Sequence, residues 1–278
     1  MKIKNVIKNK EKWLNSRYEV FSYDRQEMIE KTRKDPEWIH FGCGNLFRAF
    51  EAVYCDKLLD EGALEKGVIA VSGKDSDVIN TYYWALDNMY IAVTLKSDGS
   101  INKRVVGSIA ESLRIEDIDR IKEIFANENL KVATFTLPKR DYLPSDDNFY
   151  FRYIASYLYH RYRSGAYPLT LSSHDDFPDN GKILKEAVFY WVKKYDEPDF
   201  DNYIEEKVSF PLSMIDKIVL PPERMIGEIL KKDGVEDIRG LDPDFYLNCF
   251  CNSEEVEYLY TENDFRNGRP NWTNVNFF

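Results

Sequence analysis

EWIHFGCGNLFRAF, residues 37–50, begins as an apolar run suited to a buried strand, turns on Gly42 and Gly44, and resumes at helical spacing. Leu46, Phe47, Ala49, Phe50, Val53, Tyr54 and Leu58 recur at intervals of three and four, which predicts one amphipathic helix over 45–61. GVIAVSG (67–73) follows as a second β-branched strand, closed by a glycine and a polar cluster. Strand, glycine turn, helix and strand make a right-handed βαβ unit with parallel strands.

Such a unit can hold a dinucleotide. The backbone must come close to a pyrophosphate, so side chains are excluded at the turn. A helix N-terminus must aim free N–H groups at the anion, and a polar group after the second strand must meet the ribose. Gly42 and Gly44 meet the first need and the helix from Asn45 the second, with Phe47 and Arg48 in its opening turn. Lys74, Asp75 and Asp77 follow the second strand. A carboxylate there suits the ribose hydroxyls of NAD, whereas Lys74 favours the 2′-phosphate of NADP. The third glycine of the usual fingerprint is absent, which touches helix–strand packing rather than phosphate contact. A bare tight turn also needs glycine for backbone reasons alone.

Helix and strand keep alternating beyond this unit. MYIAVTLKSDGSINKRVVGSI (89–109) reads as a hairpin around Asp98-Gly99. A helix over 115–130 precedes the strand KVATFTL (131–137), which Pro138 ends. A long aromatic helix (148–165) is closed by Gly165, YPLTLSS (167–173) is another buried strand, and HDDFPDNG (174–181) is a loop before a further helix over 182–195. The expected class is α/β, a doubly wound, mainly parallel Rossmann-type sheet with an added hairpin. Residues 1–36, polar with Trp13, Tyr18 and Phe21 as anchors, read as an N-terminal extension packed on the surface, and 37–278 as the dinucleotide-binding domain.

Composition narrows the function. The chain has 278 residues, 44% of them hydrophobic, enough for a full core. A net charge of −10 argues against nucleic acid as partner, because phosphate binding needs a basic face. No apolar run reaches the roughly 20 residues of a membrane helix, and no apolar stretch follows the basic start, so the cytoplasm is the default location. Cys43, Cys55, Cys249 and Cys251 are too few for a disulfide framework, and Cys249-Phe-Cys251 is too tightly spaced for a zinc knuckle. His40 reads as a core histidine, while His174 lies in the loop that should flank the cleft. The tyrosines of 149–162 read as core and interface rather than a base-stacking platform. Asp175, Asp176 and Asp179 read as helix caps in preference to a Mg²⁺ site.

Five segments, in order, resemble the long-chain polyol dehydrogenase family, which includes mannitol 2-dehydrogenase, fructuronate reductase and tagaturonate reductase. WIHFGCGNLFRAF resembles the family's Gly-x-Gly-x-x-x-Arg-Ala signature. VVGSIAESL (105–113) is similar to its Gly-Ser-Ile segment, and TLSSHDDFPDNGKILKEAV (170–188) to its Ser-Cys-Asp-Asn-Leu-Pro-x-Asn-Gly motif. VSFPLSMIDKI (208–218) resembles Phe-Pro-x-x-Met-Val-Asp-Arg-Ile, and FRNGRPNW (265–272) resembles Asn-Gly-Arg-Pro-x-Trp. The resemblance implies zinc-independent hydride transfer between NAD or NADP and a polyol or sugar acid. It implies that this chain corresponds to the family's N-terminal Rossmann domain, and that a helical C-terminal domain supplies the catalytic lysine. The apolar end of EVEYLYTENDFRNGRPNWTNVNFF is expected to be covered by that domain or by a partner.

By the same resemblance, Gly42, Gly44 and Arg48 fall on the pyrophosphate turn, Asp77 on the ribose-reading acid, and Asp216 on a substrate-side aspartate. Asp176 falls on the asparagine that helps hold the reacting oxygen. That is a departure, because an ionised carboxylate repels an oxyanion that an amide would bind. A second departure puts Pro138 and Lys139 where the family's segment after the fourth strand has threonine and glutamate. Such losses leave open a nucleotide-binding regulatory or structural module without catalysis.

Overall fold

The computed structural model describes residues 1–73, 78–146, 150–220, 224–237 and 250–261. Its strands are β1 (Glu19–Val20), β2 (Trp38–Phe41), β3 (Val68–Val71), β4 (Tyr90–Leu95), β5 (Ile101–Val106), β6 (Ile109–Leu113), β7 (Val132–Phe135), β8 (Leu169–Ser173), β9 (Val208–Ser209), β10 (Ser213–Leu220) and β11 (Phe250–Thr261). The α-helices are α1 (Lys10–Asn15), α2 (Arg25–Lys34), α3 (Asn45–Ala49), α4 (Glu51–Asp60), α5 (Ile118–Ala126), α6 (Tyr150–Ser164), α7 (Asn180–Val192), α8 (Pro198–Lys207) and α9 (Arg224–Lys232).

Six strands form a wholly parallel sheet in the order β6-β3-β2-β7-β8-β9. The chain winds outward from β2 to β3 and β6, then returns to build β7, β8 and β9 on the other side. This is the doubly wound order, with its reversal between β2 and β7. All four residues of β2 and of β3 are buried, as a sheet covered on both faces requires. Alternate residues divide between two cores. Ile39, Phe41, Ala133 and Phe135 pack with residues of α5, α6, α7 and α8, whereas Trp38, Val68 and Ala70 join the core that holds Phe47, Val53 and Cys55.

The expected hairpin is present, but it belongs to a second sheet of order β1-β5-β4-β11-β10. β4 and β5 are antiparallel, β11 runs parallel to β4, and β10 lies antiparallel to β11 with an irregularity between Lys217 and Val219. Residues 1–36 are built into this sheet rather than laid over it. β1 pairs with β5, and Trp13, Tyr18 and Phe21 are buried with Ile91 and Val105. Arg25 donates from Nε to the Gly107 carbonyl at 3.0 Å, which ties α2 to the hairpin.

The single helix expected over 45–61 is two. Phe50 (φ −121°, ψ −81°) leaves the helical region between α3 and α4, and its ring is fully buried edge-on to Tyr54. In the aromatic helix α6, Arg161 is fully buried. It donates to five main-chain carbonyls: Phe125 and Asn127 (both 2.7 Å), Leu130 (2.9 Å), Tyr167 (3.0 Å) and Pro168 (2.8 Å). One guanidinium thus fastens the end of α5 and the entries to β7 and β8.

Candidate functional site

Ligands of doubly wound sheets lie at the carboxyl ends of the strands, where the order reverses. At that edge the loops begin as continuations of the ladder. Gly42 N–H donates to the Val71 carbonyl (2.9 Å), Thr136 N–H to Phe41 (2.9 Å) and His174 N–H to Phe135 (2.8 Å). The exits of β2, β3, β7 and β8 therefore stand side by side.

The two glycines answer different needs. Gly42 has φ +124°, and a Cβ there would lie 2.2 Å from the Thr136 carbonyl oxygen, so the β7 exit itself demands glycine. Gly44 is extended (φ −77°, ψ −176°), which any residue can adopt, and a Cβ there would meet nothing within 4 Å. It is exposed, and no packing among the described residues accounts for glycine at this position. With no Cβ at Gly44, the main chain here is open to close approach from solvent. Gly44 also precedes α3 without a side-chain cap, so the first N–H groups of the helix have no partner within it.

Asn45 is half-buried beside this opening. Phe47 is fully buried and stacks on His40, with ring centroids 4.1 Å apart. Arg48 is buried too; its guanidinium lies 4.8 Å over the Tyr90 ring, and its carbonyl accepts from the Tyr90 hydroxyl. The Tyr83 hydroxyl donates to the Cys43 carbonyl at 3.0 Å. These side chains brace the turn from the protein side, which narrows the expectation for Phe47 to its main-chain N–H. Burial pushes the Cys43 thiol up to about 12, so it stays protonated. Lys74 and Asp77 lie outside the described residues, as do Cys249 and the 265–272 turn.

At the β8 exit, His174 is buried with Nδ1 3.2 Å from Oε1 of Glu51, a fully buried carboxyl that the break at Phe50 places at the start of α4. Asp175 accepts from the Leu137 N–H (3.0 Å) and from the Tyr142 hydroxyl, tying the β7 and β8 exits together. Asp176 is exposed on the rim of a cavity of about 340 Å³ that Phe177, Leu212 and Ser213 also line. Asn180 joins this loop to β10: its Nδ2 donates to the Ser213 carbonyl (2.7 Å) and its Oδ1 accepts from Ser213 N–H (3.1 Å). Asp216 lies three residues further along β10, with its side chain outside the described set.

The capping expected of Asp175 and Asp179 is not their role. Asp179 holds the N-cap position of α7 at φ +58° without a side-chain bond to the helix, and Asp175 bonds across to β7 instead. Sequence reasoning also passed over Asn180 and Glu51. The signal for Asn180 was its place in the Pro-x-Asn-Gly end of the motif at 170–188, and Glu51 had none.

Asp175 makes stability depend on pH. Burial is the largest influence on its carboxyl and outweighs the two hydrogen bonds, raising it from 3.8 to about 6. The folded chain then holds this proton more tightly than the unfolded chain. The contribution is full below about pH 4 and fades as pH rises through about 6. Asp175→Asn should flatten that stretch of the stability curve, read as denaturant midpoints from about pH 4 to 7. Parallel curves for parent and variant would contradict this assignment.

Residues 36–274 match the family model described as mannitol dehydrogenase Rossmann domain. D-mannonate oxidoreductase of Thermotoga maritima is 35% identical over 297 aligned positions, covering 96% of this chain and 55% of that protein. Polyol:NADP oxidoreductase of Gluconobacter oxydans is 26% identical, covering 84% of this chain and 51% of that protein. The structure of Pseudomonas fluorescens mannitol 2-dehydrogenase, a ternary complex with NAD and D-mannitol, matches with a TM-score of 0.71 at 22% identity, over 93% of this chain and 54% of that one. The chain spans about half the length of the curated relatives it matches.

Proposed function

The chain belongs to the mannitol dehydrogenase family, and on that footing we propose that it holds NAD or NADP along Gly42–Arg48 for hydride exchange with a polyol or hexuronate. The substrate pair is of the mannitol/fructose, mannonate/fructuronate or altronate/tagaturonate type. Gly44 carries this reading, because its missing side chain serves nothing else among the described residues. In this reading the adenosine half lies toward the β6 exit, where Trp84 is 46% exposed and the Arg114 guanidinium lies 5.0 Å over its ring.

The nicotinamide half then lies toward the β7 and β8 exits. When bound, the cofactor supplies the hydride acceptor, and the chain's residues position the reactants around it. Phe177 and Leu212 wall the substrate side against water, and Asn180 keeps the Asp176 loop beside the start of β10. The Asp176 side chain accepts a hydrogen bond from a substrate hydroxyl in this reading, a role its oxygens can fill where an amide would donate to the reacting oxygen. Asp216, a residue of β10, is the substrate-side aspartate in this reading. The general acid/base lysine comes from a helical domain, so turnover requires that domain while cofactor binding does not.

The test is a titration of the purified chain with NADH and NADPH, following tryptophan quenching and energy transfer to the nicotinamide. Saturable binding of one or both supports the reading, and the tighter of the two identifies the working cofactor. Absence of saturation with either overturns it. A chain that turns over mannitol, fructuronate or tagaturonate by itself would remove the requirement for a second domain.

A further inference from the structure

Trp38, His40, Thr134 and Thr136 form a line of hydrogen bonds between β2 and β7 whose direction is set link by link. The Trp38 indole N–H, which can only donate, bonds to Thr134 Oγ1 at 2.8 Å. Thr134 is 1% exposed and has one proton to give, and the acceptor beside it is His40 Nδ1 at 2.7 Å. Burial first, and His174 second, hold the His40 pKa well below its ordinary value, so the ring is neutral. With Nδ1 accepting, the ring proton sits on Nε2 and is donated to Thr136 Oγ1 at 2.9 Å. His40 is fully buried and stacked on Phe47, so the ring cannot swing away.

The line ends at a hydroxyl with a proton to spare. Thr136 Oγ1 receives from His40, whose ring also has a hydrogen bond to the Gly42 main chain, and among the described residues the Thr136 hydroxyl makes no further hydrogen bond of its own. Thr136 is half-buried, and its Oγ1 lies 2.6 Å from the point a Gly42 Cβ would occupy. The hydroxyl therefore fills the space the first glycine leaves, at the lip of the crevice and on the β7 side of the turn.

We propose that Thr136 is a cofactor-binding residue, its hydroxyl donating to an oxygen of the nicotinamide ribose or the phosphate attached to it, with His40 as the positioning residue that aims it. The inference rests on the cofactor reading above and adds to it a contact on the nicotinamide half. A directed donor placed in advance costs no reorientation when the cofactor arrives. A Trp-Thr-His chain that is already satisfied internally also gives Thr136 no competing partner.

The experiment compares NADH with AMP, which carries only the adenosine half, on the parent chain, Thr136→Val and Thr136→Ser. Thr136→Val should weaken NADH about 10-fold and leave AMP unchanged, while Thr136→Ser keeps both. Nitrogen-15 NMR of the free chain should show the His40 proton on Nε2, with that resonance shifting on NADH addition and not on AMP addition. Unchanged NADH affinity in Thr136→Val would overturn the proposal and leave the cofactor reading intact, as would a proton on Nδ1. Equal loss of AMP and NADH would also overturn it, by showing damage to the turn as a whole. If the parent binds neither nucleotide, the cofactor reading fails and this proposal with it.

Discussion

Gly44→Val should lower NADH affinity by about 100-fold or more, the equivalent of about 2.8 kcal/mol, with a thermal midpoint within about 2 °C of the parent. Position 44 accepts a β-branched residue without strain, because its backbone is extended and the space around its Cβ is open. The fold therefore does not register the change, but a pyrophosphate seated on the N–H groups after Gly44 would meet the valine methyls. Gly42→Ala is the contrasting control. There the positive φ and the 2.2 Å approach to the Thr136 carbonyl fall on protein, and about 3 kcal/mol or more of stability should be lost. Calorimetric titration paired with thermal unfolding separates the two cases. A Gly44→Val chain that binds NADH like its parent would leave glycine at 44 without its ligand explanation.

Arg161→Met should reduce stability by about 3–5 kcal/mol, although it replaces a charged residue in a core by an apolar one of similar length. The guanidinium supplies five donors to carbonyls from three separate turns, and methionine supplies none. Those carbonyls sit where water cannot reach them all, so the loss is that of stranded acceptors rather than of one bond. Arg161→Lys, with three donors on a flexible stem, should recover only part of it. Urea midpoints at constant m-value provide the measurement. A loss below about 1 kcal/mol would mean that the carbonyls find other partners.

The parallel sheet was legible because WIHF, VIAV and KVATFTL are short apolar runs closed by glycine, proline or polar residues, separated by helical spacing. The break at Phe50 was not, since apolar spacing continues unbroken through 45–61 and only the burial of Phe50 and Glu51 against distant residues interrupts it. Nor was the second sheet: two-residue β1 carries no pattern of its own, and β10 and β11 meet only in three dimensions. In the site, the glycine pair announced itself. The difference between Gly42 and Gly44 depends on Thr136, which is distant in sequence and adjacent in space. His40 was recognisable as a core histidine from its apolar neighbours, but nothing local showed that two threonines of another strand fix its proton. Arg161 looked like any other arginine of an aromatic helix until its carbonyl partners were in place.

β11 lies between β4 and β10 in the second sheet and runs parallel to β4, with Phe250 beside Ile91. On the ribosome, all six strands of the parallel sheet have been made once Ser209 has emerged, whereas the strand that covers β4 has not yet been synthesised. During that interval the mostly buried run Tyr90–Leu95 is an open edge, the kind of surface that recruits other chains. At about 5–20 residues per second the exposure lasts about 2–10 s. Yield in a cell should therefore respond to translation speed and to chaperones that shield nascent edges, even where the finished molecule is stable. The second sheet is a late, long-range closure, and its assembly sets the period in which this chain is most prone to aggregate.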